Sequence, residues 1–113
     1  MGLLDNLFGK KELSNPETPQ ETETSQEQIN MLDEAESQME LMRINDAENI
    51  LMSMLEDDSE CIPVLNNLGH LYGRYLSDFE KAIEYYNRVI TLEPDNAWAR
   101  DERRRYRRYQ TYD

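Results

Sequence analysis

Apolar residues from Ile29 onward recur every three or four positions, the spacing of one face of an α-helix. No segment alternates with the two-residue period of a strand. Short polar turns interrupt the pattern four times, so the expected fold class is all-α, with five helices. The five helices are predicted at 29–42, from about 45 to 55, from 63 to about 72, at 79–92 and from 97 to about 109.

Residues with capping chemistry precede three of these helices. Asn45 to Glu48 resembles a capping box, and Ser77 to Glu80 matches the S/T-x-x-E form of that motif. Asp95-Asn96 supplies cap residues for the fifth helix. Pro63 is tolerated in a first turn, and Pro94 predicts the end of the fourth helix.

The N-terminal residues differ from the rest. Residues 1–13 form a short leader whose leucines and Phe8 share one face of a two-turn helix. Residues 14–28 lack apolar side chains and contain two prolines, so this segment is predicted to be a disordered acidic linker. The helical domain is then residues 29–113. The leader lacks the basic start and cleavage site of a signal peptide, and weak peripheral membrane contact through residues 1–11 is one alternative for it.

Charge is unevenly distributed along the chain. The 113 residues carry 24 acidic and 12 basic side chains, a net charge of −12 with 38% hydrophobic residues. Residues 29–62 hold ten acidic residues against one basic, whereas six arginines lie between Arg100 and Arg108. The overall acidity argues against a nucleic-acid binder, since phosphates would be repelled. No apolar run reaches the length of a membrane span, so a cytoplasmic location is expected.

The helical pattern repeats. Ala47 and Ala82 are 35 residues apart and lie at equivalent places in the second helix of each pair. Leu68-Gly69 followed by Tyr72 matches the L-G-x-x-Y core of the tetratricopeptide repeat, and Pro94 matches its terminal proline. The stretch from Asn66 to Ala97 resembles such a repeat, with one extra residue in the inter-helix turn at Tyr75-Leu76-Ser77.

The preceding unit is a degenerate version of the same pattern. Met42 to Ala47 resembles the turn G-[DR]-Y-x-[ED]-A, with Met42 in place of glycine. The resemblance implies a short α-solenoid of helical hairpins: repeat one at about 28–61, repeat two at 62–96, and a C-terminal capping helix at 97–110. Small residues at Ala35, Ala47, Gly69 and Ala82 would allow close helix approach.

The resemblance also implies a concave groove lined by the first helix of each pair, which would hold a partner peptide or helix. Carried over position by position, the strongest partner-binding candidates are Asn66, Asn67, His70, Arg74, Glu36 and Arg105; further groove candidates are Leu32, Asp33, Met39, Glu40, Trp98, Asp101, Glu102 and Tyr109. One sub-family clamps the C-terminal carboxylate of chaperone tails with basic and Asn side chains. Asn67 matches it, but Glu36 and Glu102 would repel a carboxylate, so this ligand is rejected.

The arginine-rich last helix has three interpretations. It is a solvated cap with Trp98, Tyr106 and Tyr109 packed inward, a surface that pairs with the acidic turn Glu56–Glu60 of this chain or of another copy, or a weak nucleic-acid site. The first is favoured. The second would make the protein self-assembling, with its basic tail against an acidic front.

Catalytic and cofactor chemistry lack support. Cys61 and His70 are the only nucleophile and base pair of that kind, and more than two helical turns separate them. One Cys and one His give no zinc site, and four glycines form no phosphate-binding loop. The sequence therefore predicts a non-catalytic protein-interaction module, an adaptor or scaffold, without cofactor or metal.

Overall fold

The computed structural model describes residues 25–111, and within that range every regular element is a helix: α1 (Gln26–Glu40), α2 (Ile44–Asp57), α3 (Ile62–His70), α4 (Phe79–Leu92) and α5 (Ala97–Gln110). α3 continues into one π-helical turn, Leu71–Tyr75. Each helix packs on the next along the chain. The predicted all-α helical-repeat class is confirmed, as two helical hairpins followed by a fifth helix. The predicted leader and residues 14–24 of the predicted linker lie outside the described residues.

One continuous core joins the two hairpins. Small residues lie where the helices approach most closely: Ala35, Ala47 and Ala82 are fully buried. Between them the space is filled by the largest buried side chains: Tyr86, Leu51, Leu65, Leu68, Leu71, Val64 and Val89. This alternation of small and large residues is what close helix packing requires. The core therefore fixes the first helices of successive hairpins side by side.

The first helix begins at Gln26, so residues 26–28 of the predicted linker are helical. The backbone N–H of Gln28 donates to Ser25 Oγ at 3.1 Å, and the N–H of Ser25 donates to Gln28 Oε1 at 2.9 Å. This reciprocal capping box satisfies two backbone donors at the helix start. Hydropathy did not reveal it because the residues involved are all polar.

Two of the predicted helix caps are wrong. α2 begins at Ile44 rather than near Asn45, and Arg43 at its N-cap position makes no side-chain cap hydrogen bond. α4 is capped by Asp78, whose Oδ1 accepts the N–H of Lys81 at 3.2 Å, and not by Ser77. The cap of α5 is as predicted, since Asn96 Oδ1 accepts the N–H of Ala99 at 2.9 Å.

Ser77 is excluded from capping because it closes the turn before α4. Its φ is +54°, and Met42 at the equivalent place in the first hairpin has a φ of +62°. After α1 the N–H of Arg43 donates to the carbonyl of Gln38 at 2.8 Å, and that of Met42 to the carbonyl of Met39 at 2.9 Å. This is a Schellman motif with Met42 at the left-handed C′ position, where glycine is usual.

The extra residue predicted for the second inter-helix turn is absorbed inside the helix instead. The N–H of Leu76 donates to the carbonyl of Leu71 at 3.2 Å, and the N–H of Asp78 donates to the carbonyl of Tyr72 at 2.8 Å. Both bonds span more residues than an α-helical bond, as in a π-bulge. The last turn of the first helix is therefore widened, which changes the directions of its side chains.

Replacing Met42 with glycine should stabilise the protein. A non-glycine residue in the left-handed region costs the folded state about 1–2 kcal/mol. Glycine avoids this cost, but its greater freedom in the unfolded chain lowers the free energy of unfolding by about 0.5–1 kcal/mol. Met42 is two-thirds exposed, so little burial is lost. We expect a net gain of about 0.5–1 kcal/mol in urea unfolding. Met42→Ala keeps a Cβ and is the control; an equal gain with alanine would contradict the backbone explanation.

None of the helices among residues 25–111 is long and apolar enough to cross a membrane.

Candidate functional site

Two adjoining cavities lie along α1, α3 and the start of α5. The smaller, of about 150 Å³, is lined by Glu36, Met39, Glu40, Asn67, His70 and Tyr75. The larger, of about 410 Å³, is lined by Glu36, Pro63, Asn66, Asn67, His70 and Trp98. Three residues, Glu36, Asn67 and His70, belong to both cavities. Together they form one surface, which we call the groove.

The groove brings together four of the six strongest sequence candidates: Glu36, Asn66, Asn67 and His70. The other two, Arg74 and Arg105, are exposed and line neither cavity. Arg74 is close enough to lower the pKa of His70, and Arg105 lies 3.8 Å from Glu102. Both arginines therefore lie beside the groove rather than within it.

The two asparagines of α3 are not equivalent. The Nδ2 group of Asn67 donates to the carbonyl of Pro63, one turn earlier, at 3.0 Å. That bond fixes the amide and leaves its Oδ1 as the group that a ligand can use. Asn66 Oδ1 is buried and has no hydrogen-bond partner. An unsatisfied buried acceptor costs free energy. Because this oxygen has almost no accessible surface, Asn67 and not Asn66 supplies the amide oxygen of the groove.

His70 lies at the centre of the groove. Burial is the main cause that lowers its pKa, and the cation of Arg74 lowers it further, while Glu102 and Glu36 oppose the shift. His70 is therefore neutral at pH 7. Glu36 of α1 and Glu102 of α5 both raise the pKa of this imidazole of α3, so both carboxylates lie near it. The groove thus spans the first helices of both hairpins and the final helix.

Residues 62–96 match the family model described as tetratricopeptide repeat. This segment is similar to a tetratricopeptide repeat. The match covers α3, the π-turn, α4 and the turn that leads to α5. No curated protein and no solved structure matches the sequence. Tetratricopeptide repeats generally mediate protein–protein interactions and are typically non-catalytic, and their stacked hairpins present concave surfaces. The groove lies on the first helices of these hairpins.

Aromatic residues of α4 and α5 form the core behind the groove. Tyr86 of α4 is fully buried, and Trp98 meets its ring edge-on at 5.7 Å between centroids. Tyr106 is also buried and stacks on Tyr86 at 6.2 Å. Trp98 and Tyr109 are 49% and 40% exposed, so only Tyr106 packs fully inward as predicted. Trp98 is consequently held from one side and open to the groove on the other.

Two groove residues were absent from the sequence candidates, Pro63 and Tyr75. The sequence predicts Tyr75 in the inter-helix turn, whereas the π-helical turn makes it the last residue of the helix. Its ring lies against His70, with 5.6 Å between ring centroids. Pro63 was interpreted only as a helix-start residue. Pro63 lines the same cavity as Trp98. The sequence gives no signal for this role, because a proline side chain carries no polar binding group.

The arginines of α5 form contacts with their own helix and with α4. Arg103 donates to Asn87 Oδ1 at 2.7 Å, and Arg104 pairs with Asp101 at 2.9 Å on the exposed face. In the acidic turn, the carbonyl of Ser59 accepts from Arg88 at 3.2 Å. Across residues 25–111, no ion pair joins α5 to the acidic turn Glu56–Glu60. The sequence analysis offered pairing of the arginine-rich helix with the acidic turn of the same chain or of another copy. Among residues 25–111, the pairing within one chain is not formed.

Cys61 occupies a structural position. It lies just before α3 and is 7% exposed, and burial raises the pKa of its thiol. A raised pKa keeps the sulfur protonated at neutral pH and therefore weakly nucleophilic. The Nε2 group of Gln28 lies 4.0 Å from its sulfur. His70 faces Glu36, Tyr75 and Asn67 in the groove, so the two residues do not form a nucleophile and base pair.

Proposed function

We propose that this protein is a non-catalytic adaptor that holds a peptide or helix of a partner protein in the groove. The observation that carries the proposal is the pair of adjoining cavities that share Glu36, Asn67 and His70. They form a continuous surface across three helices, so one bound segment can contact all of them. The repeat family supplies the general expectation of protein binding, and the groove supplies a place for it.

The chemistry of the groove suits a peptide. Asn67 presents an amide oxygen that can accept a backbone N–H of a bound peptide. Trp98 offers a half-exposed aromatic face for an apolar side chain. Aromatic anchors surrounded by polar groups are typical of surfaces that carry most of the binding energy in protein complexes.

Arg74 lies beside the groove and gives it a cation at the end of α3. It is exposed, and it is close enough to His70 to lower the pKa of that imidazole. An exposed arginine can meet a carboxylate or a carbonyl of a bound segment without any rearrangement of the core. We therefore assign Arg74 to partner contact together with Asn67.

The double variant Asn67→Ala and Arg74→Ala tests the proposal. Alanine is favourable in helices and neither side chain is in the core, so the fold should persist. Capture of the specific partner should fall about ten-fold or more, equivalent to about 1.4 kcal/mol. The measurement is quantitative affinity purification with the purified full chain, alongside circular dichroism to verify folding.

A matched control removes the same residue types away from the groove. Asn49 is exposed on α2, and Arg104 is exposed on the outer face of α5. Proteins captured by the wild type and by Asn49→Ala/Arg104→Ala, but lost from the groove variant, are groove partners. Equal capture of the same proteins by all three chains would refute the assignment of the groove.

A further inference from the structure

We propose that the smaller cavity of the groove is a specificity pocket for a lysine or arginine side chain of the bound partner. We call it the α1 pocket; it is lined by Glu36, Met39, Glu40, Asn67, His70 and Tyr75. The proposal rests on the peptide-binding function proposed above and names the chemistry of its ligand.

The first argument is charge. Glu36 and Glu40 lie one helical turn apart on α1, and both line the α1 pocket. No Lys or Arg lines it, and the last turn of α1 contains no basic residue. The carbonyls of Ser37, Gln38 and Met39 at the end of α1 already accept backbone N–H groups. The two carboxylates therefore supply the negative charge there, and a cation from outside would neutralise them.

The second argument is shape. The α1 pocket is not only acidic: the half-buried ring of Tyr75 supplies apolar surface beside the carboxylates, and the buried Met39 lies behind it. Lysine and arginine carry an aliphatic stem below a charged head. The stem can pack on Tyr75 while the head reaches Glu36 and Glu40. The Tyr75 ring also offers a face for a cation–π contact.

The third argument is hydrogen bonding. The Nδ2 donor of Asn67 is already used by the carbonyl of Pro63, so acceptors dominate what the α1 pocket offers. An ammonium carries three donors and a guanidinium five, and neither accepts. Neither Arg74 nor Arg105 lines the α1 pocket.

The test uses the full chain and four pools of short, capped peptides. The pools share one randomised neutral composition without tryptophan and differ at a fixed central residue, which is lysine, arginine, norleucine or glutamate. Trp98 is the only tryptophan of the chain and lines the adjoining cavity, so its fluorescence reports binding. We expect the lysine and arginine pools to bind about ten-fold more tightly than the norleucine pool, and the glutamate pool to bind most weakly.

Charge variants separate the α1 pocket from the general acidity of the protein. Glu36→Gln/Glu40→Gln should remove the preference for lysine and arginine, so that their affinities fall to that of the norleucine pool. Glu80→Gln/Glu84→Gln makes the same change in net charge on exposed α4 positions and should keep the preference. Added salt should weaken the lysine and arginine pools and leave norleucine unchanged.

The outcomes distinguish this inference from the groove function. If lysine and norleucine pools bind equally, and Asn67→Ala/Arg74→Ala still weakens both, the groove function stands and the cation pocket is refuted. Equal loss of the preference in the two glutamine double variants would also refute it, because long-range charge would then explain the binding. If no pool changes the Trp98 signal, both proposals fail.

Discussion

Replacement of Tyr86 with alanine is expected to lower the free energy of unfolding by about 3–5 kcal/mol, the usual cost of removing a buried aromatic side chain. Tyr86 is fully buried and is the largest such side chain in the described core. Its ring contacts α3 at Gly69 and α5 at Trp98 and Tyr106. A domain of this size has a total stability of about 5–10 kcal/mol, so the variant should lose about half of it or more.

The measurement is urea unfolding followed by far-ultraviolet circular dichroism and by Trp98 fluorescence. Because Trp98 rests edge-on against Tyr86, its emission in the folded variant should also shift towards that of a solvated tryptophan. A loss below about 1 kcal/mol would mean that the cavity collapses almost completely, which would contradict a closely packed core around this ring.

Tyr86→Phe is the matched control, and we expect it to act in the opposite direction. The Tyr86 hydroxyl is buried without a hydrogen-bond partner, and burial raises its pKa above the ordinary value. An unsatisfied buried hydroxyl costs about 1–3 kcal/mol, so its removal should stabilise the protein by about 1 kcal/mol. A destabilised phenylalanine variant would show that the hydroxyl has a partner, such as a bound water.

The second large effect is expected at Gly69, where alanine should destabilise although it favours helices. A Cβ built on Gly69 would lie 2.6, 2.7 and 2.9 Å from three atoms of the Tyr86 ring. The ring cannot retreat easily because Trp98 and Tyr106 pack against it. Overpacking of this kind lowers the free energy of unfolding by about 1–3 kcal/mol. The higher helix propensity of alanine relative to glycine offsets about 1 kcal/mol of this loss. Gly69→Val should cost more than Gly69→Ala.

A double-mutant cycle tests the cause. In a Tyr86→Leu background the ring is gone, so Gly69→Ala should become neutral or stabilising. Ser53→Ala, at an exposed position of α2, measures the effect of alanine in a helix without any contact. If Gly69→Ala costs the same with and without the Tyr86 ring, steric contact is not the reason for the glycine. Gly73 has the same relation to the Tyr106 ring and offers an independent repeat of the experiment.

Much of the fold follows from residue spacing. Apolar residues three and four positions apart identified all five helices, because burial of one helical face requires that spacing. The small residues Ala47 and Ala82 identified the repeat, and both are fully buried. Helix starts were less predictable. Several residues near each start could cap the helix, and the choice between Ser77 and Asp78 depended on which of them had to adopt a left-handed backbone.

The groove was predictable in part. The positions of Glu36, Asn66, Asn67 and His70 followed from the helical repeat, since equivalent positions of stacked first helices face the same side. The placement of Tyr75 did not follow, because a π-helical turn rotates the residues at the end of its helix. Arg74 and Arg105 were expected in the groove and lie beside it, because both are long side chains whose heads extend towards solvent.

The sequence by itself determined the number of helices, their pairing into hairpins, the acidic first half and the arginine-rich last helix. These properties depend on neighbours along the chain or on composition, and both can be read from the order of residues. Only the tertiary structure decided which side chains form the α1 pocket. Its wall combines Glu36, Asn67 and Tyr75 from separate helical turns, and their convergence depends on how α1 packs against α3 and on the widened turn at 71–75. Packing across a core and a local change of hydrogen-bond register are properties of the folded chain.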